Sequence, residues 1–306
     1  MNSIQITLGS PGRNSEEPLV RHLRLADPLG DSLSTFDFHN ERIRLFEVTA
    51  EAFIGSEPAI GLIEELETGD RFSKLTLYAR EEPGAEDAQW IQAGFHREAA
   101  IRGFFTDGAE AVLWSRYSEE ERAVEIRKDD HDKALKIALS KERAAPSLPE
   151  GYTSRPAAPG DSERISLLMN SVFEEYASDI SEENLFRQIA TLQTLFQVIE
   201  DTDKRLVAVA SAELDVGRQV AEITDCVTVV DQRGRGLSSA AIGALHDTLK
   251  QHPRINATFS MARADVVGVN CVFQRLGYDY TGRLVNNCRM PNGWETMNIW
   301  CRSIEA

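Results

Sequence analysis

The sequence predicts an α/β protein with mixed sheets in two domains, on three observations. Residues 146–306 carry strand and helix patterns in the order β-α-α-β-β-β-α-β-α-β-β. A charged helical stretch followed by Ala144-Ala145-Pro146-Ser147-Leu148-Pro149 reads as a proline-bounded linker. The first half also echoes the end of the second, so the chain reads as an internal repeat. With 306 residues and 42% hydrophobic content there is room for two packed cores. The boundary falls between 1–145, which includes the connecting helix, and 146–306.

In the second half, residues 152–155 form a short strand, and a helix over 161–173 takes Asp161 as N-cap and buries Ile165, Leu168, Met169 and Val172. A second helix covers about 182–192. Strands follow at 195–200, 205–214 and 220–230, the last rich in Ala, Ile, Val and Thr. The helix over 238–251 is small on one face, with Ala240, Ala241, Gly243 and Ala244, and can lie close to a sheet. A strand at 256–262, a helix at 266–276 and strands at 280–288 and 294–302 complete the order. In the first half, a strand at 74–80, a helix at 87–93, Gly94-Phe95, Gly103-Phe104-Phe105 and a strand at 111–117 parallel that ending.

Charge and composition exclude several functions. Thirty-three basic against 49 acidic residues give a net charge of −16, which repels nucleic acid and favours a cationic substrate. No signal-peptide pattern and no run of about eighteen apolar residues is present, so a soluble, cytoplasmic protein without a membrane partner is expected. Cys226, Cys271, Cys288 and Cys301 lack metal-ligand spacing, so buried free thiols and no metal are expected. His246 reads as a surface or packing residue.

Residues 229–239 carry the chemistry. Gly234 and Gly236 permit close backbone approach, and the N–H groups of Arg235, Gly236, Leu237 and Ser238 lie at a helix mouth, which favours an anion. The spacing lacks the third glycine of a dinucleotide fingerprint and the Lys-Ser/Thr of a nucleotide loop. Amine acylation also needs a group to take a proton from an ammonium of ordinary pKa near ~10.4. Glu222 and Asp225 are the carboxylates before the loop. Three apart, they face opposite sides of a regular strand, and only a bulge would bring both to one face.

Arg233-x-x-Gly236-x-Ser238 and the element order resemble the GCN5-related N-acetyltransferases (GNAT), with Ser238 in place of the family's last Gly or Ala. The resemblance implies a GNAT fold in the second half, a degenerate GNAT-like first half without a phosphate loop, and acetyl-CoA as co-substrate. It implies coenzyme contacts at Val227, Val229, Arg233, Gly234, Arg235, Gly236, Leu237, Ser238, Asn270 and Phe273, and Glu222 as base with Asp225 in support. Phe273 occupies the position where many members place a proton-donating Tyr, which leaves Tyr278 as a substitute. Residues 221–225, 262–278, 282–287 and 293–300 further resemble the β-lysine N(6)-acetyltransferases. That likeness implies a small diamino acid as acceptor, with a compatible solute as product, and a pocket drawn from Tyr176, Arg263, Asn286, Asn287 and Asn298. A departure around Tyr176-Ala-Ser-Asp-Ile180 leaves other acceptors open, a polyamine or another diamino acid, and a non-catalytic acyl-CoA sensor is a further alternative. A homo-oligomer is compatible with the sequence.

Overall fold

The computed structural model describes residues 20–24, 33–80, 86–173, 179–290 and 293–304. In the first half, strands β1 (Val20–Arg24), β2 (Leu33–Asp37), β3 (Arg42–Val48), β4 (Lys74–Arg80), β5 (His96–Ile101) and β6 (Ala111–Tyr117) form one sheet in the order β1-β2-β3-β4-β6-β5. Helices α1 (Ala50–Phe53) and α2 (Glu57–Thr68) join β3 to β4, and α3 (Glu86–Gln92) joins β4 to β5. Helices α4 (Glu120–Ala123) and α5 (Lys128–Leu139) lead to the second half.

There, β7 (Thr153–Pro156), β8 (Thr194–Glu200), β9 (Leu206–Asp215), β10 (Val220–Thr228), β11 (Ala257–Arg263), β12 (Asp279–Met290) and β13 (Gly293–Ser303) form a sheet ordered β12-β13-β11-β10-β9-β8-β7. Helices α6 (Ser162–Asn170) and α7 (Glu182–Thr191) precede β8, α8 (Leu237–Lys250) joins β10 to β11, and α9 (Val267–Arg275) joins β11 to β12. The two sheets share one plan: β1-β2-β3-β4-β6-β5 corresponds to β8-β9-β10-β11-β13-β12. In each, one pair alone is parallel, β3 with β4 and β10 with β11.

Alternation decides which way each strand faces. Ala221 and Ile223 of β10 enter the core beneath α8, whereas Val220 joins Phe259, Phe104, Phe105 and Tyr78 in a cluster shared by the two sheets. Phe95, Phe104 and Phe105 are all buried, as expected for a packed first half. Edge strands β5 and β12 lie so close that a Cβ on Gly282 would sit 2.4 Å from the Ala99 Cα. Lys74 is fully buried, paired with Glu98 at 2.8 Å, and donates to the Val285 carbonyl of β12.

Two local expectations change. Helix α5, attached to the first half on sequence, packs against α9: Ala138 enters the second core, and the Ala144 N–H donates to the Arg275 carbonyl. Asp161 does precede α6, but its carboxylate accepts from the Ala158 N–H and pairs with Arg155 and Arg164 instead of capping that helix. Of the cysteines, all free, Cys301 alone is buried; the other three are half-buried. Among the described residues no helix is long and apolar enough to cross a membrane, and no acidic, His or Cys cluster could hold a metal ion.

Candidate active site

Strand β10 runs into the loop and α8 with both glycines left-handed, φ +80° at Gly234 and +81° at Gly236. A side chain at either would be strained by conformation, while an added Cβ meets no atom within 4 Å. Gly236 is the N-cap of α8 and has no side chain to satisfy the first turn, whose first internal bond is Ala240 N–H to the Gly236 carbonyl. The N–H groups of Leu237, Ser238 and Ser239 therefore remain at the helix mouth. Arg233 and Arg235 are exposed beside it, while Leu237 is buried and anchors the turn. The Arg233 Nε donates to the Thr228 carbonyl at 3.2 Å, and Ser238 and Thr228 hydroxyls bond at 2.9 Å, holding the loop against its strand.

The strands part beside this loop. β10 pairs with β11 only over Val220↔Ala257, Ala221↔Thr258 and Glu222↔Phe259, while β11 continues along β13 as far as Arg263↔Met297. Beyond Glu222, the edge of β10 facing β11 is thus open. On its other side β10 is interrupted by a bulge between Thr224 and Val227, with Asp225 at φ +49°. The bulge resolves the question of faces: Glu222, Asp225 and the register partner of Glu222, Glu213 on β9, come together. Ser211 donates to Asp225 at 2.7 Å.

Burial raises the half-buried Glu222 to about 7, with the Asp225 charge adding to the rise and Arg44 and Arg42 opposing it. Desolvation, then the charges of Glu222 and Asp225, push Glu213 upward too, an effect weakened by its exposure to water. A carboxylate poised near neutrality beside an anion-binding helix start can take a proton from an ammonium.

Other sequence candidates lie elsewhere. Tyr278 is fully buried, bonded to the His246 Nε2 at 2.6 Å and to Thr258 at 3.1 Å, so its phenol belongs to the core and not to the cleft. Burial holds His246 down to about 3, and it is a packing residue. Phe273 is also fully buried, edge-on to Tyr278. Asn270 uses both amide hydrogens on the Arg263 and Val266 carbonyls and accepts from Asn298 and Trp300, which leaves no group for a coenzyme. Asn298 in turn accepts from Arg283. Asn286 donates to the Arg122 and Val124 carbonyls and fastens β12 to the first half. Asn287 is buried, with its amide near the sulfurs of Met261 and Cys288. Arg263 pairs with Glu295 at 3.0 Å. The side chains of Val227 and Val229 pack under α8, and the Val229 N–H donates to the Val207 carbonyl. Tyr176 lies outside the described residues.

A cavity of about 650 Å³ beneath the linker, lined by Arg102, Arg143, Lys250, Arg275 and Arg302 among others, shares no residue with the loop or the acids.

The chain is 33% identical over 275 residues to the β-lysine N(6)-acetyltransferase of Methanosarcina mazei, a match covering 82% of this chain and 99% of that one. The chain belongs to that N-acetyltransferase family. It is also similar to the N-acetyltransferase YodP of Bacillus subtilis, 30% identical over 88% of this chain and 94% of that one. The β-lysine N(6)-acetyltransferase of Methanococcus maripaludis is 23% identical over 90% of this chain and 98% of its own. No family model matches. As an N-acetyltransferase the chain needs an acyl-donor site and a base. Sequence reasoning missed Glu213, Ser211, Tyr78 and Arg44 around the acids. For Glu213 the available signal was its pairing opposite Glu222 across the β9–β10 hairpin.

Proposed function

We propose that the protein transfers the acetyl group of acetyl-CoA to the terminal amine of a small diamino acid, β-lysine, by direct attack within a ternary complex. The observation that carries this reading is the parting of β10 from β11 after Glu222, beside a helix start with unpaired amides and above three carboxylates. The amides of Leu237, Ser238 and Ser239, with Arg233 and Arg235, suit the pyrophosphate. The open edge of β10 offers backbone donors and acceptors to an extended pantetheine arm. Glu222 takes the ammonium proton; the freed amine attacks the thioester carbon, and the C–S bond breaks. The attacking nitrogen loses its second proton as the C–S bond breaks, and the departing thiolate, with a thiol pKa of about 8.5, is protonated through solvent. The sign of the acidic cluster matches an acceptor with two ammonium groups.

Glu222→Gln should lower kcat by roughly 10²–10⁴ at pH 7 with little change in coenzyme affinity. The wild-type kcat/KM should rise with pH and level off above about 7, and the variant should lack that inflection. Linkage supplies a second readout. Because the folded carboxyl holds its proton up to about 7 against an ordinary value of 4.5, stability falls as pH rises through that window, and the variant should not show this fall. Near-normal turnover at pH 7 would remove Glu222 from the role. The acceptor is tested by comparing thiol release with β-lysine, lysine and polyamines; release with polyamines alone would overturn the amino-acid reading.

A further inference from the structure

The acid cluster is roofed by the first sheet. Alternation along β3 buries Ile43 and Leu45 in the first core and turns Arg42, Arg44 and Phe46 to the face that meets the second sheet. Arg42 is fully engaged: it pairs with Asp37 at 2.9 Å and donates to the Asn287 carbonyl at 3.2 Å. Arg44 differs. Half-buried, it turns its charge on Tyr78, Glu222 and Glu213, and its Nε has no acceptor within the protein. An arginine on this face whose Nε finds no protein acceptor, half-buried beside the acids, has donors to offer a ligand.

A guanidinium beside the acids repels a simple diamine and gains from a carboxylate in its planar fork. A 3,6-diaminohexanoate carries that carboxylate next to one ammonium, with the reacting amine at the far end. We propose that Arg44, supplied by the first sheet, binds the carboxylate of the acceptor and directs its distal amine to Glu222, so that the acceptor site belongs to both halves. This inference rests on the amino-acid reading above.

The experiment compares kcat/KM for β-lysine and for 1,4-diaminopentane, the same diamine without the carboxylate, in wild type, Arg44→Gln and Arg44→Lys. Arg44→Gln should cost β-lysine roughly 10²-fold more than it costs 1,4-diaminopentane, with the excess in KM, because any change it makes at Glu222 is common to both substrates. Arg44→Lys keeps the charge but not the fork, so it should fall between them, and it serves as the readout if the Gln variant does not fold. Equal losses with both substrates, or an unchanged ratio, would overturn the proposal. A wild type that acetylates diamines but no amino acid would instead overturn the acceptor reading on which it rests.

Discussion

The two sheets follow the same plan and differ at the place where the second one can work. Both carry a bulged residue with left-handed φ on the first strand of the parallel pair, Glu47 at +61° in β3 and Asp225 at +49° in β10. In the first sheet the parallel ladder runs past that point, from Arg42↔Lys74 to Val48↔Ala79, so the strands stay closed. In the second it stops at Glu222↔Phe259. Helix entry differs likewise. The Thr49 hydroxyl accepts from the Ala52 N–H and the Ser56 hydroxyl from the Ala59 N–H, so α1 and α2 satisfy their own first turns, whereas Gly236 leaves that of α8 open. Topology alone therefore does not open the second sheet; the donor site proposed here depends on a ladder that ends early and a cap that is missing.

The sharpest test of this contrast sets Gly236→Val against Gly55→Val. Both glycines are left-handed, with open space where a Cβ would go, so the conformational cost is similar. Gly236→Val should abolish acetyl-CoA binding by calorimetry, and Gly55→Val should leave it unchanged; a folded Gly236→Val that still binds would remove the loop from the donor site. A smaller effect concerns the joint between the sheets. Lys74→Met takes the cation from Glu98, which keeps its hydrogen bonds from Ser115, Tyr117 and the Val285 N–H, and should destabilise the fold by about 1–3 kcal/mol in denaturant melts. If stability is unchanged, the pair does not tie the halves. Smallest is Tyr278→Phe, which should alter turnover less than about twofold while costing about 1 kcal/mol of stability from the lost His246 and Thr258 bonds. A large fall in kcat would return the phenol to the reaction.

Much of the second half could be read from periodicity and turn residues. The helix expected over 238–251 is Leu237–Lys250, and the strand expected over 256–262 is Ala257–Arg263. The Arg-x-x-Gly-x-Ser spacing likewise pointed to an open helix start. The echo in the first half was real at β4, α3 and β6, yet β2, β3, α2 and β5 were not anticipated. Arg42-Ile-Arg-Leu-Phe-Glu-Val48 does alternate, but arginines on a strand read as a solvated face unless a second sheet is known to cover them. The asparagines of the last strands misled for a related reason. Polar groups in a strand do require an explanation, but for Asn286 and Asn298 it is internal hydrogen bonding, which depends on contacts distant in sequence. The grouping of Glu222 with Asp225 depended on one bulge, which leaves no mark in residue type.

The shared cluster of Phe104, Phe105, Tyr78, Phe259, Leu284 and Ile299 also bears on how the chain is made. The first sheet can complete its own strands once β6 has left the ribosome, but the face carrying Phe104 and Tyr78 is covered by β11, β12 and β13, the last strands to emerge. At about 5–20 residues per second, roughly ten to forty seconds of synthesis separate β6 from β13. During that interval a nascent chain would present an aromatic surface with nothing to cover it, so slower translation should increase its dependence on chaperones.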